Sequence, residues 1–406
     1  MLTNGFLITN HDYSIITRCK DIMNYRAWDG RCIVREYDGL TILYYPVDYN
    51  NSNSNSNNND DPLLLINGLI LDPKCINGNY AYVKINSMQK SIIFARDPLG
   101  CKPLYYDYSR KGISIASDKR VLTDPKIVEP GIMYTYSLTS NSLRKHELCK
   151  LSFNPITSVS IDKVVEDLTA LLDSIVYAIC RLNGKVAVGL SGIDSMVIAS
   201  IASRYADVTA VTVCMKDSYD YKHTKINSLN HEMLVIDEKD VLDALNSLST
   251  LDIDLTNAMD ASIASIVHIL ARYARSKGLR TLMLGQLADE LFAGYARYLR
   301  YCNHDVSKML FNDVINAEKD LLRDDNASCS YAMLALPYAV YSLAQYAVNI
   351  PAEFKITQGI RKLVLRKVAE KIGIDKSLAY KEKKALQFSS GVYKVVKRIK
   401  DSYNNK

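Results

Sequence analysis

Ser191, Gly192, Asp194 and Ser195 fall within five positions of KVAVGLSGIDSMVIAS (185–200), between an apolar run and a helical spacing. Two hydroxyls, a glycine and a helix start are the parts of an anion site. The first N–H groups of a helix lack intrahelical partners, the helix dipole is positive there, and glycine lets a ligand approach the backbone. The same residues also make an ordinary helix cap, with Ser191 or Asp194 accepting a backbone N–H and Gly192 turning the chain. On this stretch alone the two readings stand level. A second turn, LGQLADELFAGY (284–295), sets Asp289 beside Glu290 after another apolar run. Paired carboxylates can hold magnesium against phosphate oxygens, or they can simply favour the first turn of a helix. Two such turns at one sheet edge strengthen the functional reading of both, because caps have no reason to converge.

The elements that must position these turns follow from periodicity. Asp162 to Leu182 spaces Val165, Leu168, Leu172, Ile175 and Val176 on one helical face. Strand-like and helix-like segments then alternate: VAVGL, a helix from about Asp194, DVTAVTVC, EMLVI, helices near 238–249 and 260–277, and TLMLG. Alternation of this kind predicts right-handed crossovers and a parallel sheet covered on both faces. Ligands of such sheets bind outside the carboxyl ends of the strands, where 191–195 and 285–290 fall. The first ~150 residues read differently: TILYYPV, YAYVKIN, SIIFA, GISIAS and IMYTYSL are short β-branched or aromatic runs between Gly, Asp, Pro and Ser, which predicts antiparallel sheet. The tract NNSNSNSNNNDD (50–61) cannot bury apolar area and is expected as a disordered loop. The period changes after Leu151-Ser-Phe-Asn-Pro155, giving an expected division into 1–152 and 158–400.

Composition narrows the class. The chain has 406 residues, enough for two domains, and 50 Lys and Arg against 44 Asp and Glu give a net charge of +6. That excess is compatible with an anionic ligand and does not mark a nucleic-acid binder; the 28 tyrosines show no aromatic and basic interleave. Nine cysteines without a CxxC pair predict reduced thiols, a cytoplasmic location and no cysteine-bound metal. The first residues lack the basic start and apolar core of a signal peptide. Asn326 to Ala352 carries no charge and is long enough to span a membrane, but Pro337, Asn349 and Pro351 point to a buried helix pair and no membrane. His268, on the apolar helix SIASIVHILARYA, reads as a core histidine. The C-terminal YKVVKRIKDSYNNK reads as a solvated amphipathic helix.

VGLSGIDSMVIAS resembles the pyrophosphate loop of the ATP pyrophosphatases, usually Ser-Gly-Gly-x-Asp-Ser after a strand. LGQLADELFAGYARY is similar to the asparagine synthetase segment Gly-Glu-Gly-Ala-Asp-Glu-Leu-Phe-x-Gly-Tyr. Arg96-Asp-Pro-Leu-Gly-Cys-Lys-Pro-Leu-Tyr-Tyr106, Ala116-Ser117, Pro130-Gly131, Arg361-Lys-Leu-Val-Leu-Arg366 and Lys383-Lys-Ala-Leu-Gln-Phe-Ser-Ser-Gly391 resemble further parts of the same family. The implied fold class is α/β: an N-terminal Ntn-hydrolase-like antiparallel β domain, then a doubly wound parallel sheet of the adenine nucleotide alpha hydrolase type. The implied activity is ATP-dependent conversion of aspartate to asparagine through a β-aspartyl-AMP intermediate. The resemblance assigns Leu190, Ser191, Gly192, Asp194, Ser195, Val213 and Gly285 to ATP, with Cys214 beside Val213 facing the adenine. It assigns Asp289 and Glu290 to Mg2+, and Lys383 or Lys384 to the charge of the departing phosphate.

The departures from the family are specific. Met1 is followed by Leu2 where the family's glutaminase has its cysteine, and Asn67-Gly68 is followed by Leu69 where the family has Glu. The family's Arg-Gly-Pro-Asp and Ser-Asp segments are missing. The first domain is therefore expected to lack glutaminase chemistry, with ammonia as the nitrogen donor. The pyrophosphate loop has one glycine for two, and Gln286 and Leu287 replace Glu and Gly. Ala332-Met-Leu-Ala-Leu-Pro-Tyr338-Ala-Val stands for the family's Val-Glu-Leu-Arg-x-Pro-Tyr-Leu-Asp, so the Glu expected to handle ammonia's proton is absent. Two alternatives follow: a catalytically impaired nucleotide-binding paralogue that regulates or scaffolds, and a related ligase with another acid. Implied partners are aspartate and ammonia, with a homodimer or a separate glutaminase as further readings.

Overall fold

The protein is described by a computed structural model covering residues 2–10, 14–37, 39–47, 63–71, 77–182, 184–223, 229–300, 303–357, 359–381 and 385–404. The expected loop at 50–61 lies outside the described residues. The chain divides into two compact units: Met1–Lys150 with Cys329–Met333, and Leu151–Ser328 with Leu334–Lys406.

The first unit is built on a sheet of eleven strands among the described residues: β1 (Leu2–Thr9), β2 (Ile33–Tyr37), β3 (Leu40–Pro46), β4 (Leu63–Ile70), β5 (Gly78–Asn86), β6 (Ser91–Arg96), β7 (Tyr105–Ser109), β8 (Gly112–Ala116), β9 (Lys126–Ile127), β10 (Ile132–Ser137) and β11 (Ser142–Glu147). Pairing is antiparallel as expected, except that Leu2 and Thr3 of β1 run parallel to Ile66 and Asn67 of β4. Alternation decides the two faces. Phe6 and Ile8 join Ile42, Val83, Phe94 and Tyr134 in one core, whereas Leu7 packs with Ile15, Cys19 and Met23 of the helix Ser14–Met23. The Arg96-Asp97 motif is a buried staple. Arg96 donates to the carbonyls of Gly100, Lys102 and Val128, and the Asp97 carboxylate accepts from the N–H groups of Tyr80, Leu99 and Cys101.

The second unit holds a five-stranded sheet: β12 (Lys185–Gly189), β13 (Asp207–Met215), β14 (His231–Ile236), β15 (Thr281–Met283) and β16 (Met333–Ala335), in the order β14-β13-β12-β15-β16. The first four strands are parallel. Val186, Ala187 and Val188 are all buried, as a strand covered on both faces requires. The helix Ile193–Ala202 packs on β12 and β13, backed by helices Ile161–Cys180 and Leu363–Lys371. The helix Ala258–Ser276 packs on β12, β13 and β15, backed by Glu238–Leu248 and Val392–Asn404. From β12 the chain steps outward to β13 and β14, then returns to β15 on the other side. The order therefore reverses between β12 and β15, and the crevice of a doubly wound sheet opens at that point.

Ser160 caps the helix Ile161–Cys180 by accepting from Lys163 N, and its face Val164, Val165, Leu168, Leu172, Ile175 and Val176 is buried as the spacing predicts. The charge-free stretch corrects one expectation. Instead of a helix pair it contains the end of the helix Glu318–Ser328, strand β16, a single turn at Pro337–Ala339 and the helix Tyr341–Val348. A three-residue strand of Met, Leu and Ala carries no period that separates it from a buried helix. No helix among the described residues is long and apolar enough to cross a membrane. His268 is 1% exposed, with Nδ1 against Ala327 O, and burial pushes it down to about 4.

Candidate functional site

Both sequence-marked turns stand where the strand order reverses. β12 ends at Gly189, and Leu190 N donates to Val211 O at 2.7 Å, which fixes where the first loop leaves the sheet. Ser191 and Gly192 follow, and the helix begins at Ile193. Gly192, the residue before the helix, makes no side-chain cap. Ser195 Oγ, one turn inside the helix, accepts from Ser191 N at 2.9 Å and Gly192 N at 3.3 Å and donates to Gly192 O at 3.1 Å. Two consecutive N–H groups thus aim at one oxygen, which is the geometry of an anion nest holding a hydroxyl. Gly192 is extended (φ 171°), and a Cβ built there meets nothing within 4 Å. The glycine is not required by the turn; it leaves the loop open on its outer side.

The second loop comes into contact with the first. A Cβ on Gly285 would stand 2.8 Å from Asp194 Cβ and 3.1 Å from Ser195 N, so only glycine allows this approach. Leu287 then adopts the left-handed conformation (φ 74°) at the head of the short helix Ala288–Leu291. Non-glycine residues pay about 1–2 kcal/mol there; Leu287, 4% exposed, offsets this through burial. Gln286 donates its amide to Asp324, which is fully buried and also accepts from Arg323 Nε at 2.9 Å. Burial pushes the Asp324 carboxyl up, against the Arg323 charge. The family's Glu at this position would set a second carboxylate on Asp324, whereas the amide of Gln286 donates to it.

Asp194 and Asp289 meet at a residue to which the sequence reading gave no role. Lys362 Nζ lies 2.5 Å from Asp194 Oδ1 and 2.7 Å from Asp289 Oδ1, with its own side chain 1% exposed. Lys362 occupies a left-handed position (φ 58°) just before the helix Leu363–Lys371. Gly294 makes room for the pair: a Cβ there would fall 1.7 Å from Asp289 Oδ1 and 2.3 Å from Lys362 Cε. Arg361 donates to Gly294 O at 2.7 Å, and Tyr338, fully buried, donates to Asp194 O at 3.0 Å. The only advance signal for Lys362 was its place in the Arg361–Arg366 motif; spacing alone could not have shown that it folds back onto both turns.

The other marked residues are dispersed. Glu290 accepts from the Tyr295 hydroxyl at 2.5 Å, and burial, helped by the Asp289 charge, pushes its carboxyl up. Val213 and Cys214 are 1% and 0% exposed near the end of β13. Lys383 and Lys384 lie outside the described residues. Met333, Leu334, Ala335 and Leu336, in the segment that lost its ionic residues, are all buried, and Tyr338 packs edge-on against Phe292. In the first unit Asn67 is 4% exposed and its Nδ2 has no hydrogen-bond partner.

The residues present do not fit a resident magnesium ion. Asp194 Oδ1 and Asp289 Oδ1 are already joined by an ammonium, and among the described residues no group of three His, Cys, Asp or Glu side chains could hold a metal. Backbone N–H groups, hydroxyls and a buried cation, the kinds of group that attract an anion, come together here.

Comparison with known proteins identifies the family. The family model described as Asparagine synthase matches residues 167–333 and 302–404, and one described as Glutamine amidotransferase domain matches 71–124. The chain belongs to the asparagine synthase family. It is 26% identical over 390 residues to a putative glutamine-hydrolysing asparagine synthetase of Methanocaldococcus jannaschii, covering 81% of this chain and 72% of that protein. It is 26% identical to the glutamine-hydrolysing asparagine synthetase of Sandersonia aurantiaca (78% and 65% covered) and 25% identical to one from Lotus japonicus (80% and 60%). The chain thus spans about two thirds of the length of these relatives. Among solved structures, glutamine phosphoribosylpyrophosphate amidotransferase from B. subtilis aligns over 55% of this chain and 68% of its own at a TM-score of 0.30. NMN synthetase from Francisella tularensis aligns over 60% and 87% at 0.31, and both are 13% identical. At these scores neither adds to what the family match shows.

Proposed function

We propose that the chain is an ATP-dependent, amide-forming ligase of the asparagine synthase type. A side-chain carboxylate oxygen of aspartate attacks the α-phosphorus of ATP and displaces pyrophosphate. Ammonia then attacks the acyl carbon of the β-aspartyl-AMP, loses a proton and displaces AMP. The observation that carries this reading is the meeting of the 191–195 loop, Gly285, Asp289 and Lys362 at the reversal point of the sheet in a chain of this family. In this reading Ser191 N, Gly192 N and Ser195 Oγ cradle the pyrophosphate, and Leu190, Val213 and Gly285 line the nucleotide. Lys383 or Lys384 meets the charge of the leaving group. Free ammonia is the proposed donor; in support, burial pushes the thiols of Cys19, Cys32 and Cys101, among the described residues, up, the reverse of what a nucleophile needs.

The test is aspartate-dependent release of AMP and pyrophosphate with ammonium as donor, and with glutamine in a parallel arm. Turnover with ammonium and no glutamate from glutamine is expected. Failure to bind ATP by calorimetry would remove the enzyme reading. Gly192→Ala sharpens the binding arm: the fold stays within about 0.5 kcal/mol, as for a surface change, because the added methyl meets no atom, while ATP affinity falls.

A second reading has its own observation. Ser195 Oγ already satisfies the two N–H groups of the cradle, and Ala332–Val340 carries no carboxylate. A nucleotide-binding paralogue with a regulatory role would bind ATP in that calorimetric arm and release no AMP.

A further inference from the structure

Two acids marked by sequence for phosphate and metal both meet the ammonium of Lys362, and the fold leaves room for it. Asp194 belongs to the first turn of the helix Ile193–Ala202, Asp289 to the second loop, and Lys362 to the head of a third element, the helix Leu363–Lys371. Three features make the lysine's place a built seat rather than a chance surface pairing. Its side chain is 1% exposed, its backbone is held in a left-handed conformation, and Gly294 is the residue type that leaves room for Cε and for Asp289 Oδ1. Two carboxylates this close in a buried place repel strongly unless a cation lies between them. A divalent ion would do so with oxygen ligands at about 2.0–2.1 Å for magnesium. Lys362 Nζ stands in that position at ion-pair distance from both.

We propose that Lys362 is the resident cation of this site: its ammonium takes the place of a divalent metal between Asp194 and Asp289, ties the two loops together without ligand, and keeps free divalent ions off the acid pair. A divalent ion then enters the site only on a ligand that brings its own oxygens. The first part stands on geometry alone. The entry of a divalent ion together with its ligand rests on the proposed binding of ATP, so the test is made without nucleotide.

The experiment titrates Mn2+ into the full chain, with bound ion followed by electron paramagnetic resonance and no nucleotide present. Wild type is expected to bind no Mn2+ at this site. Lys362→Met keeps the length of the side chain and removes the charge. It should gain one site, with affinity raised by roughly 10-fold or more, the scale on which partners of a metal site act. Its thermal midpoint, below wild type in chelator, should rise with added Mn2+. Adding Asp289→Asn to Lys362→Met should abolish the gain. Should Lys362→Met not fold, Lys362→Gln and the wild-type titration still decide. A stoichiometric Mn2+ site in wild type that Asp289→Asn removes would overturn the proposal, as would a folded Lys362 variant that gains no ion. Because ATP takes no part, an inactive or non-binding enzyme does not bear on the outcome.

Discussion

Lys355 ends the short helix Ala352–Lys355 with its Nζ fully buried and no hydrogen-bond partner. Burial alone pushes it down from 10.5 to about 7. Between those two values the unfolded chain holds a proton that the folded chain has released. Unfolding therefore takes up a proton, and the contribution of this group to stability rises with pH from about 7 to 10.5. Lys355→Met replaces the amine with an apolar group of similar length. The second unit of the variant should melt higher than that of wild type at pH 7 by roughly 2–4 °C or more, the shift that about 1 kcal/mol gives in a domain of about 150–250 residues. Its advantage should shrink as melts are repeated toward pH 10. A constant or reversed difference would mean that the amine finds a partner on folding. Lys362, seven positions on, is just as buried but sits on two carboxylates; periodicity marks both positions alike, and only the fold separates an isolated amine from a paired one.

At the scale of elements, legibility follows burial pattern. β3, β5, β6, β8 and β10 were readable because β-branched and aromatic runs between turn residues have few other uses. β11 was missed because most of its side chains face solvent, and β1 because Asn4 and Gly5 interrupt its apolar run. The two loops of the site were legible as short polar stretches after strands. Their convergence was not, since it depends on Gly285 admitting Asp194 and on Gly294 admitting Lys362. Leu287 offers a measure of what the second loop tolerates. Replacement by Ala removes apolar burial and keeps the left-handed strain, whereas replacement by Gly removes both. Leu287→Gly should therefore be the more stable of the two by about 1 kcal/mol, although both fall below wild type. Denaturant titration of the pair checks the order, and an Ala variant at least as stable as the Gly variant would contradict it.

At the scale of the whole chain, the division between units was expected near residue 152, and the sequence carried no sign that Cys329–Met333 would group with the first unit. Cys329 O accepts from Asn4 Nδ2 at 2.8 Å and from Trp28 Nε1 at 2.7 Å, and Asn4 also ties Arg26 O. A fragment of residues 1–150 leaves both donors without that carbonyl. It should unfold at lower denaturant than the first unit does in the full chain, by about 1–3 kcal/mol for buried groups left unsatisfied. Fluorescence of Trp28, the one tryptophan, reports on that place directly. Equal midpoints would show that the carbonyl contributes nothing. The same contact sets a schedule. A ribosome adds about 5–20 residues each second, so β1 waits some seconds for Ile115 and Ala116 of β8, and Asn4 and Trp28 wait longer for a carbonyl made 301 residues after the indole. The first unit to emerge thus cannot be completed as it emerges, and its last piece arrives only when most of the second unit's sheet has already been synthesised.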